Sequence, residues 1–320
     1  MSHNIEYLNG KYSMVYAGEE PWHGLGKRIL DDLTPQQVLE EAGLNWRVDL
    51  HEITVNVNGK RIEVPNKRAL VRNVDNRVLD IVSDDWCPVQ NEEAFEFFHE
   101  FVMNNSMSMH TAGSLQNGNI VWALAKLNDG FSLNGKDDIT GYLLFTNYHK
   151  YGFSTDVRFT AVRVVCNNTL TLALQRKSRE NSWRFNHRCE FDAAHAKRVI
   201  GLSSRKLNDY REMAEFLTTK RYNENTVMEY FDKLFPITGT NKRSAEHSRS
   251  AIILRDVLEQ QPGFEYSPGT WWQAYNAVTF FTDHIQGRNE ENRIYNAWYG
   301  RNLDTKANAL KLAVEMADAA

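Results

Sequence analysis

Between His51 and Val82 the sequence writes one short device twice. In HEITVNVNGKRIEV, residues 51–64, apolar and polar side chains alternate on either side of Asn58-Gly59. An Asn-Gly pair accepts the positive φ angles of a two-residue hairpin turn, so the flanking runs read as paired antiparallel strands. ALVRNVDNRVLDIV, residues 69–82, repeats the pattern around Asp75 and Asn76. A period of two cannot be laid on a helix without scattering the apolar side chains around it, and this constrains the first half of the chain to sheet. MSMHTAGSL and NIVWALAKL flank the turn at Gln116–Gly118, and ITGYLLFTNY and TDVRFTAVRVV flank HKYGFS, residues 149–154. Both pairs extend the same expectation.

Helical signals interrupt the strands and then replace them. LTPQQVLEEAG carries Thr34 as a cap, Pro35 in the first turn and Gly43 as a stop, and NEEAFEFFHEFVMNN has Asn91 as its cap. From about residue 168 onward the period reads as helical. TVMEYFDKLF is stopped by Pro236, SAEHSRSAIILRDVLEQ ends before Pro262, GTWWQAYNAVTFFTDHI stops near Gly287, and DTKANALKLAVEMADAA closes the sequence. The fold class expected is α+β: a hairpin-rich antiparallel sheet with helices in residues 1–190, followed by a helical region in residues 191–320 packed against it, the two forming either separate domains or one unit.

Composition removes several classes of function. A hydrophobic share of 42% and a charged share of 24% are ordinary for a globular chain, and no apolar run is long enough to span a bilayer. The first thirty residues lack a basic start followed by an apolar segment, so a cytoplasmic protein of a host cell is expected. Cys87, Cys166 and Cys189 are odd in number and widely spaced, which fits reduced thiols. The ten histidines form no recognised zinc pattern, and His187, Cys189 and His195 offer only three groups at an unusual spacing. HGLGKR lacks both the P-loop and the dinucleotide glycine spacing. No metal and no cofactor is expected.

One stretch is chemically pointed. In FTAVRVVCNNTLTLAL, residues 159–174, a strand would place Arg163 on the same face as Val157, Phe159, Ala161 and Val165. Two readings are open for this guanidinium. It is either an internal ion-pair residue or an anion-binding group beside a helix that begins at Asn167 or Asn168, whose free amides favour negative charge. The surrounding charge favours neither reading alone but marks the region. Residues 141–211 hold 13 Lys and Arg against 5 Asp and Glu, within a chain whose formal net charge is -4. Aromatic residues are interleaved: Phe145, Tyr148, Tyr151 and Phe153 surround Lys150, and Trp183 lies next to Arg184. Cations neutralise phosphates and aromatic faces stack on bases, the combination that holds single strands without reading their sequence. A solvated basic face over aromatic core residues gives the same composition.

Several blocks, in order, are PWHGLG, PVQNEEAFEFF, TAGSLQNGNIVWALAKL, RVVCNNTL, GTWWQAYNAVTFFTDH, and NAWYG followed by KANALKLA. With these the chain resembles the phage- and plasmid-encoded proteins grouped as domain of unknown function 932, over nearly its whole length. Trp86 and Cys87 stand where a tyrosine is expected ahead of the PVQN block, so the Cys87 thiol is not a shared functional group. The resemblance implies a mobile-element setting and no particular chemistry.

The first expectation is therefore a non-enzymatic protein that engages single-stranded DNA, in recombination or replication. Lys150, Arg158, Arg163, Arg176, Lys177 and Arg179 would meet phosphates, Asn167 and Asn168 would add amides, and Tyr148, Tyr151 and Trp183 would stack on bases. A second expectation is an anti-defence module that docks on a host defence or replication protein through an acidic amino-terminal surface. A third is a hydrolase or transferase with Cys166 as nucleophile and His149 as its base. A homo-oligomer and a membrane-free location complete the expectations. The stripe Trp272, Asn276, Thr279 and Asp283 reads as hydrogen bonding to a neighbouring helix.

Overall fold

A computed structural model describes residues 4–18, 20–21, 23–163, 168–170, 182–185, 193–237, 246–287 and 293–319. Among these the elements run as follows. Short strands come first: β1 (Tyr7–Leu8), β2 (Lys11–Tyr12), β3 (Met14–Ala17) and β4 (Lys27–Ile29). Helix α1 (Pro35–Glu41) precedes β5 (Val48–Val57), β6 (Lys60–Arg72) and β7 (Arg77–Ser83). Helices α2 (Asn91–Glu96) and α3 (His99–Met103) lead into β8 (Met107–Leu115), β9 (Ile120–Leu133), β10 (Asp137–Tyr148) and β11 (Thr155–Arg163). Strands β12 (Asn168–Leu170) and β13 (Ser182–Phe185) follow. The remainder is helical: α4 (Ala193–Thr219), α5 (Glu224–Leu234), α6 (Arg249–Val257), α7 (Trp271–Phe280), α8 (Arg293–Trp298) and α9 (Arg301–Asp318). Strands predominate in the first half and helices in the second, so the protein is α+β.

The local chemistry explains the element ends. Thr34 accepts a hydrogen bond from Gln37 N while Gln37 Oε1 accepts one from Thr34 N at 2.9 Å, a reciprocal cap that starts α1. Asn58 and Gly59 take φ of 50° and 82°, the left-handed pair that a two-residue hairpin turn requires between β5 and β6. Asn223 and Ser248 cap α5 and α6 through their side chains.

The chain forms two compact units that interleave along the sequence. The first contains residues 1–128, 142–158 and 182–201, and the second contains 129–141, 159–181 and 202–320. Strands β9, β10 and β11 each contribute one portion to each unit.

In the first unit the main sheet has the order β11-β10-β9-β8-β3-β4, with β13 pairing on Thr155–Arg158 of β11. The β3–β4 pair is parallel and the β3–β8 and β8–β9 pairs are antiparallel. Phe97 and Phe98, between α2 and α3, lie on Phe145 of β10 with ring centroids 5.6 and 5.9 Å from it, and Phe101 of α3 meets Phe97. Aromatic pairs at such spacing add to the stabilisation from the area they bury. A separate sheet, β5-β6-β7, is antiparallel throughout.

In the second unit α7 is buried on every side, with Trp271, Trp272, Tyr275 and Val278 all fully covered. Tyr230 of α5 donates its hydroxyl to Ala309 O of α9 at 3.0 Å and meets Trp271 edge-on at 5.4 Å. The helix widens at its end into a π-helical turn, Phe281–Ile285. Such a turn leaves carbonyls without their usual partners. Here Asn302 Nδ2 donates to Thr282 O at 2.6 Å and Arg293 Nη1 to His284 O at 2.9 Å.

The expectation of helical structure from residue 168 is corrected. Asn168–Leu170 is a strand that pairs antiparallel with Ala161–Arg163, and Ser182–Phe185 is another. Asn168 is therefore not the cap of a helix. The alternation in NTLTL had allowed a strand as well as a helix, and an open edge of β11 decides it by taking up the backbone hydrogen bonds. Of the polar stripe, Asp283 meets a neighbouring helix as expected, accepting from Lys306 Nζ of α9 at 2.8 Å, whereas Trp272 Nε1 donates to Asp137 Oδ2 of strand β10 at 2.9 Å and the Asn276 and Thr279 side chains donate to the Trp272 and Asn276 carbonyls of α7 itself.

Candidate nucleic-acid interface

The loop HKYGFS, between β10 and β11 in the first unit, is held rigidly at both ends. Asn147 donates to Val89 O at 2.8 Å and accepts from Thr155 Oγ1 at 2.9 Å. His149 donates its backbone N–H to Asn119 O at 2.9 Å, and its Nε2 shares a 2.9 Å hydrogen bond with Asn91 Oδ1. Asn91 in turn donates to Leu44 O at 3.0 Å. All three polar side chains are buried, so satisfied hydrogen bonds fix the loop's root to within the tolerance of a core.

What projects from this root is aromatic and cationic. Gly152 takes φ of 80°, which turns the chain so that both neighbouring rings face out. Tyr151 is 50% exposed and Phe153 is 40% exposed. Lys67 Nζ of β6 lies 5.2 Å from the Tyr151 ring centroid, and Lys150 Nζ lies 5.4 Å from that of Phe153. Tyr151 N donates to Asp80 Oδ2 of β7 at 2.8 Å, which pins the loop to the three-stranded sheet. Among the described residues neither Lys67 nor Lys150 takes part in an ion pair, so both ammonium charges are open to an outside anion.

The same geometry sorts the residues named from sequence. Tyr151 and Lys150 are presented. Tyr148 is not: it is 6% exposed and its ring stacks on Phe153 at 5.0 Å and 26°, so it supports that ring and offers no face to a base. Arg158 is half-buried and paired with the buried Asp156, which neutralises much of its charge. Arg163 lies in β11 opposite Asn168. Its side chain and those of Asn168 and Trp183 lie outside the described residues, as do Asn167, Arg176, Lys177, Arg179 and Cys166 as a whole. His149, named from sequence as a base for Cys166, is fully buried and shares a hydrogen bond with Asn91. Among the described residues no three His, Cys, Asp or Glu gather as a metal site, and no described helix is long and apolar enough to cross a membrane.

Phe153, counted among the aromatics around Lys150 but not named for stacking, is the second exposed ring, and Lys67, not named at all, is 84 positions away from Tyr151 along the chain. Nothing local in KRIEVPNKR marks Lys67 for an aromatic partner.

The root of the three-stranded sheet holds the buried guanidinium that the first unit does contain. Arg72, at the end of β6, is 0% exposed. It donates Nη1 to Glu6 Oε1 at 2.7 Å, and Nε and Nη2 to the two carboxylate oxygens of Asp75 at 3.0 and 2.7 Å. Its guanidinium lies 5.0 Å from the Trp46 ring centroid. The forked hydrogen bond from Arg72 holds the Asp75 carboxyl below the usual carboxylate range. A depressed folded pKa contributes stability that is present in full above the unfolded value of about 3.9 and is lost as pH falls through the folded value. In urea titrations, Asp75→Asn should therefore be less stable than wild type by a constant margin from pH 5 to 7. That margin should shrink below about pH 4. An unchanged margin at pH 2.5 would show that Asp75 does not carry the linkage.

Residues 78–304 match the model of the family described as Domain of unknown function (DUF932). The chain belongs to this family. The matched span includes the projecting loop with Tyr151 and Phe153 and ends in α9, while β5, β6 and Lys67 precede it. Comparison with curated proteins and with solved structures finds no match. Membership in DUF932 thus agrees with the resemblance carried by the PVQN, TAGSLQNGN and GTWWQAYNAVTFFTDH blocks, and it brings no activity with it.

Proposed function

We propose that the protein binds single-stranded nucleic acid through the loop Lys150–Phe153 and Lys67. The observation that carries this reading is the pairing of two exposed rings, Tyr151 and Phe153, each with an ammonium group about 5 Å from its centroid and no described carboxylate neutralising that charge. Single strands are held by this chemistry: bases stack on the rings while the cations meet the phosphates on either side. A rigid root supports it, because a loop already held in place loses little entropy on binding. A DNA-processing role in a mobile element, such as protection or annealing of single strands, belongs to the same proposal.

The test is fluorescence anisotropy with labelled single strands across a salt series. Tyr151→Ala should weaken binding by about 1–3 kcal/mol, roughly five- to 150-fold. Lys67→Ala and Lys150→Ala should each flatten the plot of log affinity against log salt by about 0.7. Binding that is absent at micromolar protein and low salt, or that is indifferent to all three changes, refutes the proposal.

A further inference from the structure

The distal part of the β5–β6 hairpin, residues 54–63, presents every one of its side chains to solvent. Its register is Thr54↔Glu63, Val55↔Ile62, Asn56↔Arg61 and Val57↔Lys60. By strand alternation, Thr54, Asn56, Arg61 and Glu63 share one face, and Val55, Val57, Lys60 and Ile62 share the other. The aliphatic face holds the ribbon itself together, since β-branched side chains directly opposed across strands stabilise a pair that is otherwise marginal in water. On the polar face Asn56 serves the turn and Glu63 faces Arg68, while Thr54 and Arg61 stand in solvent. Asn56 Oδ1 accepts from Gly59 N at 3.0 Å and so closes the turn, a bond that does not use its amide N–H groups. Among the described residues Lys60 and Arg61 join no ion pair, while Glu63 lies 3.7 Å from Arg68.

From this arrangement we infer that the ribbon is an arm for double-stranded nucleic acid, a second contact distinct from the single-strand loop. Charge complementarity selects the partner. Between His51 and Arg68 the only charged groups besides Glu52 and Glu63 are Lys60, Arg61, Lys67 and Arg68, a local positive excess on a chain that is negative overall. A two-stranded ribbon fits the major groove of B-form DNA. Its polar face then turns Arg61, Asn56 and Thr54 to the base edges, with the Arg61 fork matched to a guanine and the Asn56 amide to acceptor atoms. Lys60 at the tip meets the phosphates that flank the groove. Lys67 lies on the same strand as the arm and also against Tyr151, so β6 carries a residue of each contact.

Mobility shift and anisotropy with a blunt duplex of about 25 base pairs, and with a single strand of the same length, test the arm separately from the loop. The double variant Lys60→Ala with Arg61→Ala should lose at least about tenfold in duplex affinity at low salt and keep its single-strand affinity. Tyr151→Ala should do the reverse. Arg61→Ala alone should also reduce discrimination among duplex sequences. The inference is overturned if wild-type protein shows no duplex binding at about 100 μM, or if the double variant binds duplex as wild type does. It is overturned in favour of a second copy of the chain if Val55→Ser with Ile62→Ser dissolves a dimer seen by sedimentation while duplex affinity is unchanged. Duplex binding by a wild-type protein that does not bind single strands at all would refute the loop and leave the arm standing.

Discussion

Asp283→Ala should destabilise the protein by about 3–5 kcal/mol, read as a shift in urea unfolding followed by tryptophan fluorescence. Lys306 has no exposed side-chain surface, and its Nζ rests 2.8 Å from Asp283 Oδ1. Removing the carboxylate leaves an ammonium group buried with its largest compensating interaction gone, and desolvating a charge without a counter-charge costs several kcal/mol. The opposite single change, Lys306→Met, should also be costly, because Asp283 is only 6% exposed at its side chain. Combining Lys306→Met with Asp283→Leu removes both charges and refills the volume, so the double variant should be closer to wild type than either single variant. The pair joins the π-helical turn after α7 to α9, so the coupling measures how firmly the wide turn is tied into the helical layer. If the two single losses simply add, with an interaction below about 0.5 kcal/mol, the ion pair is not what holds the turn.

Arg72→Ala should have a comparable effect in the first unit, about 3–5 kcal/mol. Glu6 is 2% exposed at its side chain and would lose its cation, while Asp75 at 30% exposure would be partly rescued by water. The asymmetry gives a sharp check. Glu6→Gln in the Arg72→Ala background should recover more than Asp75→Asn does, because only Glu6 is left buried and charged. Gly118→Ala tests the same cluster from the opposite direction. A Cβ built on Gly118 would lie 2.6 Å from Arg72 Nη1, and the residue holds φ of 94°, which side chains other than glycine rarely adopt. Because Arg72 is pinned by two carboxylates it cannot swing aside, so Gly118→Ala should destabilise by more than the ~1 kcal/mol typical of a substitution. Wild-type stability in Gly118→Ala would show that the cluster yields.

The hairpin turn at Asn58-Gly59 and the helix start at Thr34-Pro35 are local signals. Asn58-Gly59 and Thr34-Pro35 each carry their structural instruction within a few residues, through a left-handed φ pair or a reciprocal cap, and both form as read. The helical reading after residue 168 failed for the opposite reason. NTL satisfies either period over so short a span, and the choice belongs to the open edge of β11, which the local sequence does not contain. Tyr148 illustrates the same limit at the site: composition counts it with Tyr151, yet one ring is buried under Phe153 and the other is exposed.

The sequence by itself determined the order of strands and helices, the places where the chain turns, the α+β class and the family. These follow from side-chain period and from backbone preferences that act within a few residues. Only the tertiary structure decided which charges are spent internally and which remain available. Arg72 is enclosed by Glu6 and Asp75, Arg158 is matched by Asp156, and Lys67 reaches Tyr151 from a different sheet. A charge is neutralised or left open by neighbours within a few ångströms, and here those neighbours are brought together from positions as far as 84 residues apart.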